Sequence, residues 1–453
     1  MQDLIKNAIE EFKNLDNKPI RVISHLDSDG LTSASIMLQV LKREKKKFVL
    51  SIVKQLNENV LKELSLENYN TIIFTDLGSG YIKLINQYLK NKKIFIFDHH
   101  IPDVSEIHSN ISHVNPNSSD RIFQISGSGV TYLFAKNLSL ENKDLAYLAV
   151  IGSIGDSQKF QDLNKQILDD AVDTNKIEIR RGLKMFGAQT KPLYKVLQFS
   201  TDPFIPGVTG SEEGALLFMN ELGIEVKDND RFKKLVNLNE EELKKLTTGI
   251  ILKRLGSEKN PADIFSDVYL LKEEEDESFT KDAREFSTLL NCCGRLDKPS
   301  VGIGVCLNNP KFKNIANELM KEYKIELING LNWFYNNKDK MIKGNNYLIM
   351  NAQENIRDTL IGTITSIISK ANIYRENTIL ISMAYTIDNN IKVSMRICNG
   401  DNSEIDLREI LKEITEDKWE SGGHKYACGC LIPIENEQEF INKSVDVLNR
   451  KVY

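Results

Sequence analysis

Ile94-Phe95-Ile96-Phe97-Asp98-His99-His100 decides how this chain is read. An apolar run of strand length delivers one carboxylate and two imidazoles together at its end, a donor set built for a metal ion. Two further runs end in the same chemistry. Ile20-Arg21-Val22-Ile23 leads into Ser24-His25-Leu26-Asp27-Ser28-Asp29-Gly30, and Thr71-Ile72-Ile73-Phe74 leads into Thr75-Asp76-Leu77-Gly78-Ser79-Gly80.

Working outward, β-rich runs at Ile20 to Ser24, Phe48 to Val53, Thr71 to Thr75, Lys93 to Phe97 and His113 to Asn115 alternate with helix-like segments such as Leu31 to Arg43. That alternation predicts a parallel α/β sheet over residues 20–156. Open sheets of this kind place ligands at the carboxyl ends of their strands, where the acids fall. Gly127-Ser128-Gly129 opens a helical stretch through Lys136, and Leu145 to Ile154 makes another that ends in Gly152-Ser153-Ile154-Gly155-Asp156, a fourth acid. Residues 162–282 read as mainly helical, with Lys272-Glu273-Glu274-Glu275-Asp276-Glu277 as a solvated face. From Ala283 a second α/β pattern begins. Val301 to Leu307, Tyr347 to Asn351, Thr378 to Ala384 and Lys392 to Ile397 are its expected strands, separated by helices at Asn314 to Lys324 and Thr359 to Lys370. The expected layout is a domain over 1–160, a helical linker and insert over 161–282, and a smaller domain over 283–453.

Composition sets limits on this. The 453 residues are 41% hydrophobic and 27% charged, as expected for a globular chain of two or three domains. The six cysteines, at 292, 293, 306, 398, 428 and 430, lack CxxC spacing, which argues against a zinc ribbon or a secreted disulfide framework. The first residues read as an amphipathic helix carrying Glu10 and Glu11 rather than as a signal peptide, and no run approaches the roughly 18 apolar residues of a membrane span. The expectation is a cytoplasmic protein with no membrane partner. A net charge of −5 leaves nucleic-acid contact to a local basic groove.

Asp27 and Asp29 flank one residue at a strand exit, so both can face one pocket, with His25 adding a nitrogen. Mixed carboxylate and imidazole donors favour manganese or a similar ion over calcium. Each motif alone also fits an ordinary turn. Their co-occurrence weighs against that, since four of the six histidines, His25, His99, His100 and His424, lie in such motifs. Four acids and two or three histidines on one edge suggest a binuclear site, in which two cations about 3.5–4 Å apart clamp an in-line displacement at phosphorus with hydroxide as the attacking group. In the second domain, Gly422 and Gly423 let backbone amides approach an anion next to His424 and Lys425, and Ser394 with Arg396 can complete a phosphate pocket. Basic and aromatic residues mix from Lys176 to Lys195, as in a single-strand track, though such a mixture is more often a solvated helix face.

In order, Ser24 to Gly30, Asp76, Asp98-His99-His100 and Gly152 to Asp156 resemble the four motifs of the DHH phosphoesterase superfamily. Ser394-Met395-Arg396 and Gly422 to Gly429 resemble its C-terminal DHHA1 substrate-binding domain. The resemblance spans about 20–160 and 285–435, and Lys191-Pro192-Leu193-Tyr194, Ser200 to Gly207 and Asn291 to Arg295 are most similar to the archaeal RecJ-like nucleases. It implies a parallel-sheet DHH domain and a smaller α/β DHHA1 domain, with the active-site cleft between them. It implies two manganese ions, with magnesium as the alternative: His25, Asp27 and Asp76 on one, and Asp29, Asp76, His99 and Asp156 on the other. Asp76 would bridge, Asp98 would orient the histidines, and His100 would face the scissile phosphate. Ser394, Arg396, Gly422, Gly423 and His424 would hold the substrate. Bacterial RecJ enzymes carry a further oligonucleotide-binding barrel after this point, which is expected to be absent here.

The expected function is therefore a manganese-dependent exonuclease on single-stranded DNA or RNA, acting in DNA replication or repair. The archaeal relatives also imply a partner, the GINS replication complex. Two alternatives stand beside it: a nanoRNase or nucleoside bisphosphate phosphatase of the same superfamily, and a scaffold subunit of a replication complex.

Overall fold

In the computed structural model, which describes residues 1–118, 124–371, 373–400, 404–416, 418–419 and 421–451, the apolar runs form a five-stranded parallel sheet. After helix α1 (Gln2–Lys13) come β1 (Ile20–His25), α2 (Ser28–Arg43), β2 (Phe48–Val53), α3 (Glu58–Leu66), β3 (Thr71–Thr75), α4 (Ile82–Tyr88), β4 (Lys93–Phe97) and β5 (Ile111–Val114). Their order across the sheet is β2-β1-β3-β4-β5. The chain thus adds β2 on one side of β1 and then returns to the other side, so the reversal lies between β1 and β3, where open α/β sheets bind ligands. Strand β3 is buried throughout, as a central parallel strand covered on both faces must be, with Ile72, Ile73 and Phe74 apolar on either side. Register completes the arrangement. Ser24, Thr75 and Phe97 pair across one rung, so His25, Asp76 and Asp98 are the next residue on three adjacent strands.

Helices α5 (Gly127–Leu138), α6 (Ala146–Gly155) and α7 (Asp162–Asp173) follow, and α5 and α6 both pack on α2. The middle region contains more strand than its composition suggests. β6 (Ile177–Leu183) pairs antiparallel with β9 (Phe265–Leu271), enclosing α8 (Leu193–Gln198), α9 (Glu212–Glu221), a two-residue hairpin β7 (Lys227–Asp228) and β8 (Arg231–Phe232), and α10 (Glu240–Arg254). This insert has a core of its own, including Leu193, Val196, Phe218, Leu246 and Ile250.

α11 (Ala283–Arg295) packs on α6 and α2, and α12 (Pro299–Cys306) packs on α2. The chain divides into two compact units at Glu318, within α13 (Pro310–Asn337), so the segment from Ala283 that the sequence pattern groups with the second domain packs with the first. The run Val301 to Leu307, expected as a strand, lies instead mainly in helix α12. Pro299 sits in the first turn, where its missing N–H costs nothing. Gly302 and Gly304 permit close approach: a Cβ on them would lie 2.8 Å from a Leu31 methyl and 2.3 Å from the Phe312 ring. A short apolar run buried on every side has no period by which strand and helix can be told apart.

The second unit holds a six-stranded mixed sheet of order β10-β11-β12-β13-β15-β14. Its elements are β10 (Ile342–Lys343), β11 (Tyr347–Asn351), α14 (Asp358–Lys370), β12 (Ile379–Tyr385), β13 (Asn390–Ile397), α15 (Leu407–Thr415), β14 (Ser421–His424), β15 (Ala427–Pro433) and α16 (Glu437–Lys451). Alternation on β13 is strict. Ile391, Val393, Met395 and Ile397 join the core formed with α15 and α16, while Arg396 bonds to Ser366 of α14 on the other face. No helix among the described residues is long and apolar enough to cross a membrane.

Candidate metal centre

Asp27 is the N-cap of α2, and its Oδ1 accepts from the Gly30 N–H at 2.9 Å. That cap turns the chain so that Oδ2 lies 3.1 Å from Nδ1 of His25, whose ring also faces Asp76 Oδ2 at 3.7 Å. Asp76 has φ 58°, a left-handed conformation that aspartate tolerates better than most residues, and its N–H donates to the Phe97 carbonyl at 2.8 Å. Asp29 sits in the first turn of α2 and caps a second helix from outside. Its two oxygens accept from the N–H groups of Gly127 (2.7 Å) and Ser128 (3.0 Å) at the start of α5.

His99 lies among three carboxylates. Its Nε2 is 3.5 Å from Asp76 Oδ1, 3.8 Å from Asp29 Oδ2 and 3.8 Å from Asp156 Oδ2. Two donor triads result, His25-Asp27-Asp76 and Asp29-His99-Asp156, with Asp76 in contact with both; a third combination is Asp76-His99-His100. All six side chains expected as ligands are therefore brought together in the first unit.

The donors fit divalent cations on three observations. Among the described residues Asp76 Oδ1 is buried and makes no hydrogen bond of good geometry, its nearest donor being His99 Nε2 at 3.5 Å, an arrangement that costs free energy unless a cation or donor meets it. A Cβ on Gly127 would lie 2.5 Å from that oxygen, and one on Gly152 would lie 2.5 Å from Asp29 Oδ1, so both positions clear room for carboxylates. Electrostatics agree. Burial and the neighbouring charge of Asp76 push Asp29 well above the usual carboxylate range, and burial and the same charge raise Asp156. Burial opposes charge on His25 and His99, yet the carboxylates outweigh it: His25 is raised well above its ordinary value, and His99 is raised to about 10.

Asp98 serves His100 rather than both rings. Its Oδ1 accepts from His100 Nδ1 at 2.7 Å and from the His99 N–H at 2.7 Å, and its Oδ2 accepts from the Ser79 N–H at 2.8 Å. Asp98 is driven far below the usual range despite its burial, and His100 is raised to about 9, chiefly by Asp98. The side chain of His100 is half exposed, so its remaining nitrogen is available to a substrate. The residue that holds the His99 ring is Gln158, which sequence reading missed. Its Nε2 lies 3.4 Å from His99 Nδ1 and donates to Asp156 Oδ2 at 2.7 Å, while buried Asn164 donates to its Oε1 at 2.9 Å. Ser157, at φ 56°, makes the turn that brings Gln158 back beside Asp156, and no periodicity announces such a turn.

In the second unit four of the five expected substrate residues, Ser394, Arg396, Gly422 and His424, share one face of the sheet. Arg396, Ala427 and His424 lie on one rung, and Ser394, Gly429 and Gly422 on the next. Gly423, between the two rungs on β14, has φ 133°, and a Cβ there would lie 2.5 Å from the Ala427 carbonyl oxygen. Arg396 is steadied by Nε donating to Ser366 Oγ and Nη1 to the Met395 carbonyl, both at 2.8 Å. The basic stretch from Lys176 to Lys195 is strand β6 and a loop that leads into the start of α8, not one helix face. Much of its charge is paired: Arg180 with Glu178, Arg181 with Asp267, Lys184 with Asp263 and Lys195 with Glu212.

Family models match along the chain: the DHH family N-terminal domain over residues 19–153, the DHH-CID domain over 185–265 and the DHHA1 domain over 344–450. The chain belongs to the DHH family. It is 31% identical over 444 residues to the uncharacterized protein MJ0831 of Methanocaldococcus jannaschii, covering 96% of this chain and 94% of that protein. Among solved structures it resembles RecJ of Thermus thermophilus in complex with Mn2+, at TM-score 0.60 and 15% identity over 99% of this chain and 54% of that one. It also resembles CDC45 of Entamoeba histolytica, at TM-score 0.64 and 11% identity over 99% of this chain and 98% of that one. These two likenesses establish a shared fold, and the chain spans about half of the RecJ structure it matches.

Proposed function

We propose that this protein is a manganese-dependent phosphodiesterase that removes nucleotides from an end of single-stranded DNA or RNA. The observation that carries the reading is the pair of triads, His25-Asp27-Asp76 and Asp29-His99-Asp156, meeting at the buried carboxylate of Asp76. The Mn2+ in the RecJ structure supports the choice of ion. Two such ions, when bound, would supply an activated water and neutralise charge on the phosphoryl oxygens.

The chain's own residues do the remainder. Asp76 joins the two triads, and the α5 N-terminus fixes the Asp29 carboxylate through two N–H groups. His100, held at Nδ1 by Asp98, whose carboxylate favours the protonated ring, presents Nε2 to a phosphoryl or leaving oxygen. Ser394, Arg396, Gly422, Gly423 and His424 hold phosphates of the strand. The reading includes action in the cytoplasm during replication or repair, and association with a GINS-type complex.

Binding without chemistry is the competing role, since CDC45 has this fold. The complete donor set argues for catalysis, because buried carboxylates this close are costly to keep without a cation. The deciding experiment is digestion of DNA and RNA strands labelled at either end, with manganese and magnesium compared and Asp76→Asn as control. Cleavage by the wild type but not the variant is expected. Intact strands with both proteins would make scaffold the better answer.

A further inference from the structure

The turn that follows β5 reaches the motif at the end of β4. Val114, the last residue of β5, pairs with Phe97, so Asn115-Pro116-Asn117 leaves the sheet beside Asp98, His99 and His100. Each asparagine amide donates to the backbone carbonyl of one histidine: Asn117 Nδ2 to that of His99 at 2.5 Å, and Asn115 Nδ2 to that of His100 at 2.8 Å. The Asn117 N–H donates to Asn115 Oδ1 at 2.7 Å, which closes the turn. A carbonyl can only accept and an N–H can only donate, so these bonds also fix which way round the Asn115 amide sits.

Asn115 is buried, and its grip on His100 is double. Its Nδ2 also donates to Ser79 Oγ at 2.7 Å, and the Ser79 N–H donates to Asp98 Oδ2 at 2.8 Å, on the carboxylate that holds His100 Nδ1. One side chain therefore meets the His100 backbone directly and its ring through Ser79 and Asp98. The amide of Asn117 goes instead to the His99 carbonyl. The His99 ring nitrogen stands 3.5–3.8 Å from three carboxylates, so a shift of its backbone disturbs all three approaches.

We propose that Asn115 and Asn117 are positioning residues with separate duties: Asn117 fixes the metal-facing His99, and Asn115 fixes the substrate-facing His100. The inference rests on the strand-degrading reading above and deepens it, by tracing the two roles within the histidine pair to a turn on the neighbouring strand. Loss of Asn117 loosens a cation. Loss of Asn115 slows the chemistry with the cations in place. Asparagines bonded only to stabilise the fold would not divide in this way.

The test uses the full-length protein, calorimetric titration of its metal-free form with manganese, and steady-state cleavage of a labelled 12-nucleotide deoxythymidine oligomer at saturating manganese. In Asn117→Ala one manganese-binding event should weaken about tenfold, the usual cost of removing a group that orients a metal ligand. In Asn115→Ala manganese affinity and KM should stay within about twofold while kcat falls at least about tenfold, the pattern of an interaction made in the transition state. Asn115→Ser, whose hydroxyl is too short to reach the His100 carbonyl, takes its place should the alanine variant not fold, with the same expectation. Equal losses of metal affinity in both variants, or lower melting temperatures with kcat and affinity unchanged, would overturn the inference and leave the proposed function standing. A wild type that binds manganese yet leaves the oligomer intact would overturn the proposed function and with it the duty assigned to Asn115, while the titration alone would decide that of Asn117.

Discussion

Replacing Gln158 by alanine should weaken one cation and spare the other. The amide touches two members of the Asp29-His99-Asp156 triad, donating to Asp156 Oδ2 at 2.7 Å and facing His99 Nδ1 at 3.4 Å, but no member of the His25-Asp27-Asp76 triad. Losing an outer partner that orients metal ligands typically costs 10- to 100-fold in affinity, or ~1.4–2.7 kcal/mol. The effect on folding should be smaller. Asn164 loses the Oε1 acceptor at 2.9 Å but keeps the Lys159 carbonyl at 3.2 Å, so roughly 1 kcal/mol is expected, a shift of a few degrees in Tm. Calorimetric titration of metal-free protein with manganese reads the two sites separately. In the variant one binding event should weaken by the stated factor and the other should stay within twofold. Two unchanged events, or two equally weakened ones, would refute the assignment of Gln158 to a single triad.

Three further outcomes follow from the site. Asp76→Asn should abolish manganese-dependent cleavage with little loss of stability, whereas Asp29→Ala should also destabilise the fold by about 1–3 kcal/mol, since it strips the acceptor from two buried N–H groups of α5; urea unfolding of both variants distinguishes them, and equal midpoints would sink the capping role. In metal-free protein His25 and His99 have raised pKa values, so their stabilisation is complete below about 6.5 and is lost as pH rises toward about 10 for His99, while the raised Asp29 and Asp156 ionise at increasing cost in the same direction. The Tm gain from saturating manganese should therefore grow between pH 6.5 and 8.5, and a gain that shrinks would contradict the carboxylate–imidazole coupling. Gly152→Ala changes no charge, but its Cβ would lie 2.5 Å from Asp29 Oδ1 and 2.1 Å from Ser128 Oγ, so manganese affinity should drop while helix content by circular dichroism is kept.

Much of the site was legible because its chemistry is carried by residues next to strand ends. The runs at Phe48 to Val53, Thr71 to Thr75 and Lys93 to Phe97 coincide with β2, β3 and β4, since apolar β-rich residues and their flanking turns are local properties. Where local properties were silent, the reading failed. Val301 to Leu307 became helix because close packing against Leu31 and Phe312 chose between two equally apolar possibilities, and the β6–β9 pairing joins segments about 90 residues apart, which no window of sequence reports.

By itself, then, the sequence determined which donors exist and that each lies at the end of an element or opens one: His25 at the end of β1 with Asp27 and Asp29 opening α2, Asp76 after β3, Asp98-His99-His100 after β4, and Asp156 after α6. Only the tertiary structure decided who meets whom. Register set His25, Asp76 and Asp98 side by side, the α5 N-terminus claimed Asp29, and Gln158 rather than Asp98 took the His99 ring. The reason is physical: spacing along a chain fixes the direction of a side chain within its own element, whereas contact between elements depends on strand order and packing, which arise only when the whole core closes.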